Sequence, residues 1–263
     1  MLDCFLGQRE PRPVVRPSAL KLKNVVETGQ QLLHDASAQA IVTWARETFS
    51  DGLVMSTSFG SQSAVMLHLI TSIAPDLPVI WIDTGFNFPE TYRFADELTK
   101  RFKLNLKIYQ AEESPARMVA LRGNLWEQGR EGLDEYDRIR KVEPMRRAFE
   151  ELGVRAWLTG PRREQTQFRR TLNVVEPFDG VCKVHPVLGW TSRQVHAFMK
   201  QHDLPYHPLV AEGYLSIGDW HSTTTTDGRG GDRDGRFHGL KQECGLHIPQ
   251  SQAENESRES SGL

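Results

Sequence analysis

Apolar residues along this chain of 263 residues fall into two rhythms. Short apolar runs have the length and composition of strands: Leu53-Val54-Met55, Pro78-Val79-Ile80-Trp81-Ile82, Ala156-Trp157-Leu158-Thr159-Gly160 and Val181-Cys182-Lys183-Val184-His185, with an alternating stretch at 104–109. Between them, apolar residues recur three and four apart. Residues 32–49 carry Ile41, Trp44, Ala45 and Phe49 at helical spacing, and 64–70 form an amphipathic segment directly after the first run. Pro89-Glu90 places a proline and an acid in the first turn of a helix running to about Phe102. A further helix begins at Val142 and ends near Gly153, and Thr191-Ser192-Arg193-Gln194 is a capping box for a helix to His202. Strands and helices alternate at βαβ spacing. The expected fold class is therefore α/β, an open and mostly parallel sheet flanked by helices. From 112 to 137 the pattern is weak, broken by Gly123, Gly129 and Gly132.

The two ends differ from this middle. Residues 1–20 hold Pro11, Pro13 and Pro17 among basic residues and read as a mobile arm. After Asp219 the composition turns small, polar and glycine-rich. Residues 222–263 are expected to form a flexible segment without a core of its own, leaving 21–221 as the folded domain. A net charge of -2 and 38% hydrophobic content give no polyelectrolyte bias toward nucleic acid or membrane. No apolar run reaches the roughly 18 residues of a membrane span, and the start of the chain lacks the pattern of a signal peptide. Three scattered cysteines make no disulfide framework, so the expected compartment is the cytoplasm.

Candidate chemistry gathers where strands end. Ser56-Thr57-Ser58-Phe59-Gly60-Ser61-Gln62-Ser63 joins the first strand to its helix. It is either an ordinary connection with a serine N-cap or an anion site, in which unpaired N–H groups and the helix dipole meet a phosphate or sulfate. Asp83-Thr84 ends the second strand, Thr159-Gly160 the fourth, and Arg162, Arg163, Arg169 and Arg170 lie just beyond; these four arginines are a solvated face or an anion site. Cys4 falls in the N-terminal arm and Cys182 in a strand, where it reads as a small apolar residue. Cys244, in Glu243-Cys244-Gly245-Leu246-His247, sits in the flexible segment near Arg233, Arg236, Lys241 and His247, which favour a thiolate, while Glu243 opposes it. It is an incidental thiol or a nucleophile delivered to a bound anion.

The first loop resembles the pyrophosphate loop S-G-G-x-D-S of the ATP pyrophosphatases, with Phe59 in place of a glycine and Gln62 in place of the metal-binding aspartate. Six motifs in order then resemble the assimilatory phosphoadenylyl-sulfate (PAPS) reductases: 56–60, Asp83-Thr84-Gly85, Phe88-Pro89-Glu90-Thr91-Tyr92, Lys141-Val142-Glu143-Pro144, Arg162-Arg163-Glu164-Gln165 and 243–247. The resemblance implies an adenine-nucleotide hydrolase-like fold, with reduction of PAPS to sulfite and adenosine 3',5'-bisphosphate (PAP). It implies thioredoxin as reductant and a homodimer. Cys244 matches the family's nucleophile. Lys141, Arg233 and Arg236 match basic residues around the sulfonate and phosphate, as His247 matches the end of the cysteine motif. Ser56, Ser58, Phe59, Gly60, Ser63, Asp83, Thr84, Gly160, Arg162 and Arg163 match the nucleotide cleft. Related adenylyl-sulfate (APS) reductases hold an iron–sulfur cluster through four cysteines. At those positions this chain has Tyr136, Asp137, Asp219 and Ser222, so no bound cofactor is expected. The alternatives are a cluster-free APS reductase, an ATP pyrophosphatase-like adenylating enzyme and a nucleotide sensor in which Cys244 is incidental.

Overall fold

The structure is a computed structural model, and it describes residues 19–226, 231, 233–241 and 243–247. Cys4 and most of the proposed N-terminal arm lie outside the described residues, as does everything beyond 247.

The described chain forms α1 (Ala19–Leu33), α2 (Ala38–Phe49), β1 (Leu53–Thr57), α3 (Ser63–Ile73), β2 (Pro78–Ile82), α4 (Pro89–Phe102) and β3 (Asn105–Tyr109). It continues with α5 (Pro115–Arg122), α6 (Gly129–Asp137), a π-helical turn (Arg138–Val142), α7 (Glu143–Glu151) and β4 (Ala156–Leu158). The short α8 (Gln167–Arg170), β5 (Val175–Phe178), β6 (Val181–Val184) and α9 (Ser192–Gln201) follow. Six strands lie in the order β3-β2-β1-β4-β6-β5. Every pair is parallel except β5 with β6. The expected fold class is the one observed.

Strand alternation divides the core in two. Leu53 and Met55, Val79 and Trp81, Ala156 and Leu158, Cys182 and Val184 face α2, α3 and α9 in the larger apolar layer. Val54, Ile80, Trp157 and Val181 face the other way, against Met145 and Ala148 of α7. Strands buried on both faces read as continuous apolar runs, which is why the pattern located them.

Three segments differ from the expectation. The helical stretch at 32–49 is two helices, because Ser37 accepts a hydrogen bond from Ala40 N (3.2 Å) and caps a new start. The weak stretch at 112–137 contains two helices. Ser114 caps α5, with Pro115 in its first turn and Gly123 ending it at φ 71°. β5 has only four residues and includes Pro177, which an edge strand tolerates; Asp179 and Gly180, both at positive φ, turn it into β6.

Leaving β1, the chain crosses to β2 on one side, while β4 flanks β1 on the other. The crevice above the carboxyl ends of β1 and β4 is the switch point where open α/β sheets take ligands. A third apolar cluster, of Phe86, Met118, Leu125, Trp126, Leu133, Tyr136 and Phe237, sits beside it. Phe237 thus packs into a core built by the domain, not by its own segment.

Candidate active site

A cavity of about 280 Å³ opens at that switch point. Its floor is the β1–α3 loop. Phe59 adopts a left-handed φ of 48°, a conformation costing an L-residue roughly 1–2 kcal/mol, yet its ring is fully buried, edge-to-face on Trp81 with centroids 5.1 Å apart. Burying that ring contributes about 3 kcal/mol, so packing wins and pins the loop. Phe59 therefore lies beneath the cavity and shapes it from below. Ser58, Gly60 and Ser63 line the cavity, and the buried Ser63 hydroxyl has no hydrogen-bond partner. Ser56 also lines it while accepting from Trp157 Nε1 (2.8 Å).

The opposite lip follows β4. A side chain at Gly160 would lie 2.9 Å from Met66 Cγ and would have to displace the Met66 side chain. Arg162 is buried at the rim, donating to Gln62 Oε1 (3.3 Å) and Ser192 Oγ (3.1 Å) and pairing with Glu164. Gln62, which stands where the pyrophosphatase aspartate would be, thus orients an arginine. Arg163 is exposed and turns away, reaching Leu172 O (3.4 Å). Asp83 does not line the cavity either. It accepts from Gly85 N (2.9 Å), Asn87 (3.1 Å), Tyr92 (2.8 Å) and Gln110 (2.7 Å), which organises the turn after β2. Burial, and then the bond to Asp83, push the Tyr92 phenol up to about 12. Thr84 does line the cavity: its hydroxyl donates to Asp219 and its carbonyl accepts from Arg140 Nε (2.9 Å).

The remaining wall is built from charge. The wider π-helical turn brings the consecutive residues Arg140 and Lys141 both inward, 1% and 7% exposed. Lys141 Nζ lies 2.8 Å from Asp137 Oδ1 and 2.8 Å from Asp219 Oδ2. Burial alone would lower the Lys141 pKa, but the two carboxylates outweigh it and raise it. Burial likewise opposes ionisation of Asp137 and Asp219, and their lysines overcome it, holding both carboxyls below the usual range. Three of the four positions compared above with the APS-reductase cysteines meet here. The Tyr136 ring centre is 5.1 Å from the Lys141 ammonium, and Asp137 and Asp219 grip it; Ser222 bonds to Asp219 O (3.5 Å).

The described part of 233–247 closes over this wall. Arg236 stacks on Phe237, 4.8 Å from its ring centre, and presses so close to Gly218 that a side chain there would lie 2.2 Å from the guanidinium. Arg169 grips Glu243 through Nε (2.7 Å) and Nη2 (2.8 Å), Thr166 donates to it (3.0 Å) and Arg233 stands 3.8 Å away. Burial pushes Arg233 down to about 10, with Glu243 opposing the shift. Cys244, half-buried, lines the cavity together with Lys141, Arg162, Arg169, Arg233 and Arg236. His247 ends a short 3-10 turn (Gly245–His247), and its side chain lies outside the described residues. Cys182 is fully buried, and burial pushes its thiol up to about 12.

Eleven of the fifteen sequence-derived site residues thus line one cavity: Ser56, Ser58, Gly60, Ser63, Thr84, Lys141, Gly160, Arg162, Arg233, Arg236 and Cys244. Sequence reasoning missed Asp137 and Asp219 as partners of Lys141, Gly218 under Arg236, and the Arg169–Glu243 pair. Only the four-residue spacing of Asp137 and Lys141 on a helix offered a local signal.

A family model described as the phosphoadenosine phosphosulfate reductase domain matches residues 52–225. A curated phosphoadenosine 5'-phosphosulfate reductase from Synechocystis sp. is 57% identical over 90% of this chain and 96% of its own length. One from Xylella fastidiosa is 52% identical over 84% and 94%. Among solved structures, a phosphoadenylyl-sulfate reductase from Candida auris, in a phosphate complex, is 35% identical with a TM-score of 0.66, covering 80% of this chain and 99% of that one. An FMN adenylyltransferase from Candida glabrata, 14% identical with a TM-score of 0.55 over 98% and 85% of the two chains, shares the fold.

Proposed function

Because the chain belongs to the phosphoadenosine phosphosulfate reductase family, we propose that it reduces PAPS to sulfite and PAP in sulfate assimilation. The observation that carries the reading is the placement of one thiol, Cys244, on the same cavity as a hydroxyl-rich strand–helix turn and five cationic side chains.

In this reading the turn at Ser58, Gly60 and Ser63 and the Gly160 lip receive the nucleotide. Lys141, Arg162, Arg233 and Arg236 offset the charge of the phosphosulfate, each charge-assisted hydrogen bond contributing about 1.5–3 kcal/mol. The Cys244 thiolate attacks the sulfonate sulfur, and the S–O bond to phosphate breaks. PAP leaves with the electron pair on its phosphate oxygen, and an S-sulfonate remains on Cys244. A thioredoxin thiolate then attacks Cys244 Sγ and expels sulfite; the second thioredoxin thiol releases the enzyme as a thiolate. Sulfur is reduced by two electrons and the dithiol oxidised to a disulfide. Thioredoxin as reductant, the cytoplasm as compartment and a homodimer as assembly come from the resemblance and form part of the proposal. No described helix is long and apolar enough to cross a membrane.

The test is sulfite release from PAPS with reduced thioredoxin. The native chain is expected to produce sulfite with a higher kcat/KM for PAPS than for APS. Cys244→Ser should bind PAP normally and release none, while Cys4→Ser should turn over as the native chain does. Sulfite production by Cys244→Ser would overturn the mechanism, and equal kcat/KM for the two nucleotides would overturn the substrate assignment.

A further inference from the structure

Asp137 ends α6 with a side chain only 3% exposed, and both of its carboxylate oxygens are engaged. Oδ1 lies 2.8 Å from Lys141, a residue of the cavity wall. Oδ2 faces the other way, 2.6 Å from Lys241 Nζ and 3.4 Å from Gly245 N. Those two partners stand on either side of Cys244 in the chain. Gly245 also sits flat on the same turn: a side chain there would lie 3.2 Å from Val142 Cγ2 and 3.8 Å from Asp137 Cβ. We propose that Asp137 is a positioning residue that seats the catalytic arm, one carboxylate holding the wall lysine and the two attachment points around Cys244 at once.

The charge count supports a dedicated seat. Lys141, Lys241, Asp137 and Asp219 form a buried quartet with two cations and two anions, their side chains 9%, 8%, 3% and 3% exposed. The quartet balances its own charge, so Lys141 faces the cavity with its position fixed by two carboxylates. Of its two carboxylates, Asp137 is the one bonded to the arm among the described residues. Asp219 holds the same Lys141 but turns its other oxygen to Thr84. Asp219 is therefore a built-in control: it has the same chemistry, the same lysine and comparable burial, and among the described residues its carboxylate bonds Lys141 and Thr84 rather than the arm.

The inference rests on Cys244 as nucleophile only for its kinetic readout; its chemical readout stands without turnover. Alkylation of Cys244 in the ligand-free protein is followed by mass spectrometry of its peptide, over a pH series reaching about 10, where a thiol of ordinary pKa is fully thiolate. On that plateau the charge a variant adds or removes no longer alters the thiolate fraction, so the rate reports access alone. Asp137→Asn and Lys241→Met should each raise the plateau rate about tenfold, the order expected for one charge-assisted bond. The double variant should rise by well under the product of the two single effects, because both remove the Asp137–Lys241 pair, although Lys241→Met also removes the pair with Asp134. Asp219→Asn should stay within about twofold of the native plateau. With PAPS and thioredoxin, Asp137→Asn should lower kcat while leaving KM within about threefold. An unchanged plateau in Asp137→Asn, or an equal rise in Asp219→Asn, overturns the proposal. If Asp137→Asn does not fold, Lys241→Met, whose side chain lies on the arm, decides it by the same criterion. A Cys244→Ser protein that still makes sulfite would sink the nucleophile and leave the alkylation result standing.

Discussion

On the floor of the cavity, the β1–α3 loop is held by a ring buried in the apolar core; across from it, the 233–247 arm is held by ion pairs. Phe59 sits beneath Trp81 with no exposed surface. Among the described residues, the arm touches the domain through Arg169–Glu243, Lys241–Asp137 and Lys241–Asp134, with Phe237 as a fully buried apolar anchor. The physical consequence differs. An apolar wedge comes out of place only when the core opens, so the floor should be as stable as the whole protein. Ion pairs facing an anion site are shared with any anionic ligand, and their net contribution is small because desolvation offsets attraction. A floor that stays and a cover that exchanges partners suit the proposed reaction, in which Cys244 would meet first a nucleotide and then a second protein.

The largest expected effect breaks the floor. Phe59→Ala should lower global stability by about 3–5 kcal/mol less whatever strain the smaller residue relieves, read as a drop in urea midpoint, and should weaken PAP binding. A midpoint within experimental error of the native one would mean that the loop is not pinned by its ring.

A smaller effect comes from the one charge buried within the sheet itself. Lys183, 1% exposed, lies over the Phe178 and Trp157 rings at 4.1 and 4.8 Å. Burial pushes its pKa down to about 8, with Glu176 opposing. An unfolded lysine titrates near 10.4, so between about pH 8 and 10.4 the unfolded chain binds more protons and this group makes stability rise with pH. Below pH 8 the folded state carries the full penalty. Lys183→Met should therefore stabilise the protein at pH 7, by about 1–2 kcal/mol once lost cation–π contacts are deducted, and the gain should shrink toward pH 10. Urea midpoints at the two pH values check this; an equal gain at both would refute the assignment.

The smallest change in global stability should come from the arm. Arg169→Met leaves Glu243 with the Thr166 hydroxyl, at 3.0 Å, and Arg233, at 3.8 Å. Because the arm can open, the cost is capped at the free energy of opening, and the urea midpoint should move by less than about 1 kcal/mol. Tryptic cleavage within 223–236 should instead rise about tenfold. Saturating PAP should slow cleavage of the native protein, since anion and arm share the same arginines. Cleavage rates indifferent to both the substitution and PAP would mean that the arm does not open, and the contrast between floor and cover would fall.

Strand and helix placement was legible because short apolar runs and the 3.6-residue period are local properties of the chain. Pro78–Ile82 and Pro89–Phe102 could be read residue by residue, β1 was found from Leu53 but runs through Ser56 and Thr57, which read as loop, and the capping box at Thr191 marked the start of α9. β5 was overlooked because four residues with a proline carry little pattern, although Asp179-Gly180 is a recognised hairpin signal. Cys244 stood out through its neighbours in sequence. Arg163 and Arg162 are adjacent and indistinguishable on paper; which one enters the cleft depends on the direction of the chain after β4. Asp83 ends a strand at the right edge, yet its oxygens are consumed by Tyr92, Gln110 and the turn's own N–H.

By itself, then, the sequence determined the layers of the fold, and it singled out the β1–α3 turn and the one thiol that line the cavity, all of which depend on residues within a few positions of one another. Only the tertiary structure decided how the charges pair. Asp137 and Gly245 are 108 residues apart in the chain and Arg169 and Glu243 are 74 apart. Coulombic attraction depends on distance in space, and no local pattern records which distant carboxylate a folded chain will bring to a given lysine.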